Sequence, residues 1–195
     1  MELTPRLQAI ADQVPQGSIL ADIGTDHAYL PVKLLLDGQI RNAIAADLRE
    51  GSLANARETA AQHGVTDRIS FRLCDGLTGI NPGEADVIAI AGMGGETIVS
   101  ILSAAPWTRN CKLLLQPMTS FPELRSWLQS NGYTIEKETI AREGNRLYGI
   151  WAVTGGRMRK LQGCPHAFCR ERFQKRQRSV FAPPWWAQRM ARPCF

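Results

Sequence analysis

The stretch Asp22-Ile23-Gly24-Thr25-Asp26-His27-Ala28-Tyr29-Leu30 decides how the rest of the chain is read. It follows the short apolar run Ser18–Ile23 and leads into a second apolar segment running from Leu30-Pro31 to Gly38. A strand, a tight turn and a helix in that order are the opening of a βαβ unit. In doubly wound α/β sheets, ligands bind beside this first turn, outside the C-terminal strand ends. A dinucleotide-binding turn would read Gly-x-Gly-x-x-Gly. Here Gly24 holds the first position, while Asp26 and Tyr29 stand where the other two glycines belong. A carboxylate at Asp26 facing a pyrophosphate in a partly desolvated crevice opposes binding by about 1 kcal/mol or more. A nicotinamide dinucleotide is therefore disfavoured.

Outward from this turn, helical and extended patterns alternate with short connections, as a parallel sheet requires. Thr4-Pro5 predicts a helix N-cap with proline in the first turn, the helix reaching Val14 before Pro15. Strands are expected at Ser18–Ile23, Asn42–Asp47, Ile69–Leu73, Asp86–Ala91 and Lys112–Gln116. Helices are expected over Gly51–His63, with Gly64 closing it, over Glu96–Ala104, and from a Ser120 cap to Ser130. The continuous apolar run at Asp86–Ala91 suits a strand covered on both faces. Tyr133–Ala141 and Arg146–Thr154 are two more extended runs, joined by Arg142-Glu143-Gly144-Asn145. So short a loop leaves no room for a helix, so these two strands must be antiparallel. The expectation is a Rossmann-like α/β fold of the class I methyltransferase type, its seven-stranded, mostly parallel sheet ending in an antiparallel hairpin.

Four carboxylates fall at or just after strand ends on one edge of that sheet: Asp22, Asp26, Asp47 and Asp75. Singly, each could be an ordinary turn or capping residue. Together they suit S-adenosylmethionine, which has no phosphate and carries a sulfonium and an ammonium. Asp47 ends the second strand 23 residues after Gly24, close to the offset at which an acid binds ribose hydroxyls. Asp75-Gly76 follows the third strand, where an acceptor could bond an adenine amino group. After the fourth strand, Ala91-Gly92-Met93-Gly94-Gly95 lets the backbone approach a planar ligand, although glycine also punctuates plain strand-to-helix turns. Exocyclic amino methylases of nucleic acids usually carry a Pro-Pro-aromatic tetrapeptide there. Its absence argues against amino-group methylation.

Three segments, Ala21-Asp22-Ile23-Gly24-Thr25-Asp26-His27-Ala28-Tyr29-Leu30-Pro31, Ala91-Gly92-Met93-Gly94-Gly95 and Gln116-Pro117-Met118, closely resemble the TrmK family of bacterial tRNA (adenine-22, N1)-methyltransferases. The resemblance covers roughly residues 3–154. It implies S-adenosylmethionine as methyl donor and the D-arm of tRNA as substrate. It also implies that Asp22, Gly24, Asp26 and His27 lie on the methionine side of the donor, that Asp47 takes the ribose and that Asp75 with Gly76 takes the adenine. Gly92, Met93 and Gly94 would border the acceptor pocket. Asp26 is the leading candidate for stabilising the cationic methylated base, with His27 and Tyr29 as orienting or stacking partners; a capping or packing role for His27 is the stronger alternative. A small-molecule methyltransferase and a non-catalytic cofactor-binding or RNA-binding remnant are the rival readings.

Charge divides the chain. Residues 1–154 hold 13 Lys and Arg against 17 Asp and Glu, a net of −4, whereas 155–195 hold 10 against one, a net of +9. The expected domains are thus a methyltransferase body, 1–154, and a basic C-terminal stretch, 155–195. That stretch lacks the heptads of the helical domain with which the family normally continues. Its Arg, Trp, Cys and Pro content fits a basic, aromatic RNA-binding arm or, as the preferred expectation, an out-of-frame reading. Cys164, His166 and Cys169 have the wrong spacing for a paired zinc site, so no metal is expected. No apolar run is long enough to span a bilayer, and Met1-Glu2-Leu3-Thr4-Pro5-Arg6 lacks the layout of a signal peptide. The expectation is a cytoplasmic protein with tRNA as partner and no membrane.

Overall fold

The alternating pattern is realised in a computed structural model that describes residues 1–156. In chain order the elements are α1 (Pro5–Ala11), β1 (Ser18–Ile23), α2 (Tyr29–Leu36), β2 (Ile40–Asp47), α3 (Glu50–Gln62), β3 (Ile69–Leu73), β4 (Val87–Met93), α4 (Gly95–Ala104), β5 (Lys112–Pro117), α5 (Phe121–Ser130), β6 (Tyr133–Glu143) and β7 (Arg146–Gly155). Two short 3₁₀ turns, Thr66–Arg68 and Pro106–Asn110, lead into β3 and β5. The cysteine–histidine cluster at 164–169 and the basic stretch beyond Gly156 lie outside the described residues.

The strands form one sheet in the order β3-β2-β1-β4-β5-β7-β6. β1 to β5 are parallel, and β7 runs antiparallel to both β5 and β6. Strand order reverses between β1 and β4, so the crevice predicted beside the first turn opens there. Leu20 and Ala89 face one layer of buried side chains with Ile10, Leu34 and Ala56. Ile23 and Ile90 face the other, with Ile98, Leu102 and Leu124. Val87, Ile88, Ala89 and Ile90 are each at most 1% exposed, as a central strand covered on both faces demands.

Several boundaries differ from the sequence expectation. α1 ends at Ala11 because Gln13 and Val14 turn back to Ile10 and Ala11 with i→i−3 bonds ahead of Pro15. Thr4 does cap this helix, accepting from the Leu7 N–H at 3.5 Å. Ser120, in contrast, is not a side-chain cap: its backbone is left-handed, φ 54°, and its hydroxyl makes no capping bond. β6 and β7 pair all the way to Glu143↔Arg146, so the connection is only Gly144-Asn145, with Gly144 at φ 57°. Because β7 is antiparallel to β5 and their pairing stops at Leu115↔Trp151, the far end of this hairpin projects past the C-terminal end of β5. Among the described residues, no helix is long and apolar enough to cross a membrane, and no group of three or more His, Cys, Asp or Glu is placed to hold a metal.

Candidate functional site

A cleft of about 320 Å³ lies at the C-terminal ends of β1 to β4, where strand order reverses. Its walls bring together residues from four separate strand ends: Gly24, Asp47, Asp75, Gly76, Gly92 and Met93. All six were singled out from the sequence. The rest of the wall includes Leu48, Arg49, Cys74, Thr97 and Ile101. Sequence reasoning missed these; Cys74, at the end of the β3 run, faces the cleft.

Backbone bonds set the walls. The N–H groups of Gly24 and Thr25 both donate to the Ala46 carbonyl, at 2.8 and 3.1 Å, tying the first turn to the end of β2. Gly24 has φ 77°, and a Cβ there would collide with the Met93 methyl. Glycine is thus required twice over, by the left-handed backbone and by the side chain opposite. Across the cleft, β4 bulges between Ala91 and Met93, leaving Gly92 at φ 75°. Gly92 donates its N–H to Gln116 Oε1 at 3.1 Å, and Met93 accepts from the Met118 N–H at 2.8 Å. Gln116 is fully buried and uses all its bonding capacity, because Oε1 also accepts from Arg6 while Nε2 donates to the Pro117 carbonyl and to Met118 sulfur. The Gln116-Pro117-Met118 segment therefore holds the glycine turn from behind.

Asp47 is 7% exposed and accepts the Arg49 N–H on Oδ1 at 2.8 Å. Among the described residues its Oδ2 accepts no hydrogen bond and keeps access to the cleft, which leaves one carboxylate oxygen for a ligand. Asp22 lies behind Ile23, outside the cleft-lining set, densely surrounded by protein but retaining a small exposed area. Burial, and then the nearby Asp47 charge, push its carboxyl up from an ordinary 3.8 to about 6. The Thr25 hydroxyl, buried without a geometrically complete hydrogen bond, offsets part of that rise.

Asp26, His27 and Tyr29 form a group of their own at the start of α2. The Asp26 side chain is 65% exposed and sits 3.5 Å from His27 Nε2. The His27 and Tyr29 rings stack in parallel, 5.0 Å between centroids and 6° between planes. Ala28 between them has φ 54°, an unusual conformation for a residue with a Cβ. None of the three lines the cleft. The exposed Asp26 carboxylate also corrects the picture of a desolvated acid: water screens it, and the case against a dinucleotide rests on the missing glycines more than on Asp26.

The chain that carries this cleft matches known proteins over most of its length. A methyltransferase domain family model matches residues 3–151. The tRNA (adenine(22)-N(1))-methyltransferase of Bacillus subtilis is 38% identical over 158 residues, 80% of this chain and 66% of that enzyme. The chain belongs to the TrmK family. The solved B. subtilis TrmK structure superposes with a TM-score of 0.76 at 38% identity, covering 80% of this chain and 67% of that one. A Streptococcus pneumoniae relative solved in complex with S-adenosyl-L-methionine has the same TM-score at 34% identity, covering 92% of this chain and 90% of its own. The match thus spans about two thirds of the B. subtilis enzyme.

Proposed function

We propose that this chain transfers a methyl group from S-adenosylmethionine to N1 of an adenine in the D-arm of tRNA. The observation that carries the proposal is the joining, in one cleft, of the Asp47 carboxylate, one oxygen of which accepts no hydrogen bond among the described residues, with three positive-φ glycines at 24, 76 and 92. Such walls fit a flat, phosphate-free, cationic nucleoside. Asp47 would accept the ribose hydroxyls, and Asp75 with Gly76 would meet the adenine. Gly24 would line the methionine side, with Asp22, Asp26 and His27 acting on it from outside the cleft wall, and Gly92 and Met93 would stand between donor and acceptor. Bound there, S-adenosylmethionine supplies an electrophilic methyl group on sulfur.

The residues of the chain do the remaining work by positioning. Adenine N1 has an in-plane lone pair, so no base need first remove a proton, and alignment provides most of the acceleration. The bulged Gly92 turn, clamped by Gln116, leaves a flat wall against which a base can lie. The parallel His27–Tyr29 pair offers an aromatic surface for a base taken out of its stack. Methylation leaves a cation, which the Asp26 carboxylate would stabilise only once the bound nucleotide shields it from water. An adenine N1 buried in tRNA structure must be exposed first, so the enzyme acts on a flipped or unpaired nucleotide.

The test is transfer of labelled methyl from S-adenosylmethionine into unfractionated bacterial tRNA, followed by digestion to nucleosides. Label in N1-methyladenosine is the expected result. Label that enters only small metabolites would mark a small-molecule methyltransferase, and donor binding without any transfer would mark a non-catalytic remnant. A cytoplasmic location follows from this reading of the substrate.

A further inference from the structure

Arg6 reaches the acceptor side of the cleft from a direction the sequence did not indicate. α1 packs against β6 and β7, and the Arg6 N–H donates to Glu143 Oε1 at 2.9 Å, fixing the start of the helix to the projecting end of the hairpin. From there the guanidinium extends over the Tyr148 ring, 5.3 Å from its centroid, and Nη1 donates to Gln116 Oε1 at 3.1 Å. That oxygen is the one holding the Gly92 N–H, and a Cβ on Gly92 would lie 3.4 Å from Arg6 Nη1. The guanidinium therefore touches the back of the glycine turn, and it stands outside the residues that line the donor cleft.

Glu143 stands beside this cation, its Oε1 4.0 Å from Nε, but the guanidinium's hydrogen-bonding capacity is not spent. Among the described residues, Nη1 is the one guanidinium nitrogen with a hydrogen bond; Nε makes none and lies 4.0 Å from the Glu143 oxygen that already accepts the backbone N–H. Its side chain remains 28% exposed. Nε is buried, so the open donors are on Nη2 and the second Nη1 hydrogen; stacked on Tyr148 and tethered at one corner, the guanidinium plane is set in advance, and little freedom is lost when this pair meets a two-oxygen anion. Exposed Arg142 and Arg146 stand on the same hairpin end, in a body whose net charge is negative. S-adenosylmethionine offers no phosphate for such a group.

We infer that Arg6 reads the phosphate of the nucleotide whose base enters beside Gly92, with Arg142 and Arg146 holding the adjoining backbone. The inference rests on the proposal that the acceptor is an RNA nucleotide. It makes the hairpin end a phosphate-binding edge, and α1 the element that couples that edge to the glycine turn.

The experiment measures methyl transfer into unfractionated bacterial tRNA by the full chain and by Arg6→Ala, Arg6→Lys and an Arg142→Ala/Arg146→Ala double variant, across a salt series. Arg6→Ala is expected to raise KM for tRNA about tenfold and to leave kcat within about threefold. It should also flatten the dependence of log KM on log salt by about 0.7–0.9. Lysine should restore the salt slope but only part of KM, since it keeps the charge and loses the fork. The double variant should flatten the slope further while leaving kcat alone. Donor affinity, measured by titration calorimetry, should stay within about twofold of wild type in all of them. Unchanged KM and salt slope in Arg6→Ala would overturn the inference, as would a loss of donor affinity matching the rise in KM, which would mean that Arg6 only shapes Gly92. If the alanine variant fails to fold, a lysine variant with wild-type KM overturns the claimed fork. A wild-type chain that methylates no tRNA would instead overturn the proposed function, and this inference with it.

Discussion

Asp22 and Asp47 show how the same residue type serves two purposes a few ångströms apart. Asp47 keeps one oxygen bonded to the Arg49 N–H and the other open, so Asp47→Asn should weaken donor binding by about tenfold or more in titration calorimetry. Affinity that survives this change would put the ribose elsewhere. Asp22 is raised to about 6, first by burial and then by Asp47. A carboxyl whose folded value lies above its unfolded one favours the folded state at low pH, and that advantage fades as pH rises from about 3.8 through 6. Above pH 6, Asp22→Asn should therefore be more stable than wild type, by on the order of 2 kcal/mol. In the opposite direction, the wild-type carboxylate is what attracts a cation, so donor affinity should fall by up to about tenfold per pH unit below 6 and the Asn variant should lose that dependence. Thermal unfolding and calorimetry from pH 5 to 8 check both halves. A wild-type affinity flat across that range would remove Asp22 from donor binding.

At the level of elements, the turns after β1, β4 and β5 carry the unusual backbone. Gly24 at φ 77° faces Met93, so Gly24→Ala should destabilise the fold by roughly 1–2 kcal/mol and cost far more in donor affinity, because the Met93 side chain must move into the cleft. Ser120 takes φ 54° without a capping bond to justify it. Ser120→Gly should accordingly stabilise the protein, by about 0.5–1 kcal/mol, read as a rise in unfolding temperature. A drop would mean that the hydroxyl caps α5 after all. Both turns illustrate a boundary of sequence reading. A serine ahead of an apolar run is a sound signal for a helix start, and α5 does start there, but the turn before it is also held from α4, whose Gly95 N–H donates to the Thr119 carbonyl at 3.0 Å, a contact no local pattern reveals.

Across the whole molecule, charge pairs outside the cleft make an acid-sensitive body. Glu84 is held down to about 2, above all by its two hydrogen bonds with Arg72 and next by the Asn81 N–H. Arg125 likewise lowers Glu138, and the Thr4 hydroxyl with the Arg6 N–H lowers Glu143. Carboxyls lowered on folding stabilise above their ordinary value and lose that contribution as pH falls through the folded one. Unfolding temperature should thus decline between about pH 4.5 and 2, and Glu84→Gln should flatten part of the decline; an unchanged profile would make the Arg72 pair irrelevant to stability. The sequence by itself determined the alternation of strands and helices, the antiparallel finish and six of the cleft residues, because apolar periodicity and the punctuation of glycine and aspartate are local properties written within a few positions. Only the tertiary structure decided that Asp26, His27 and Tyr29 stand apart from the cleft wall, that Cys74 and Thr97 belong to it, and that Arg6 meets Gln116 across 110 residues of chain. Those facts depend on strand order and hairpin register, which bring distant segments together through packing of the whole sheet and leave no trace in the spacing of neighbouring residues.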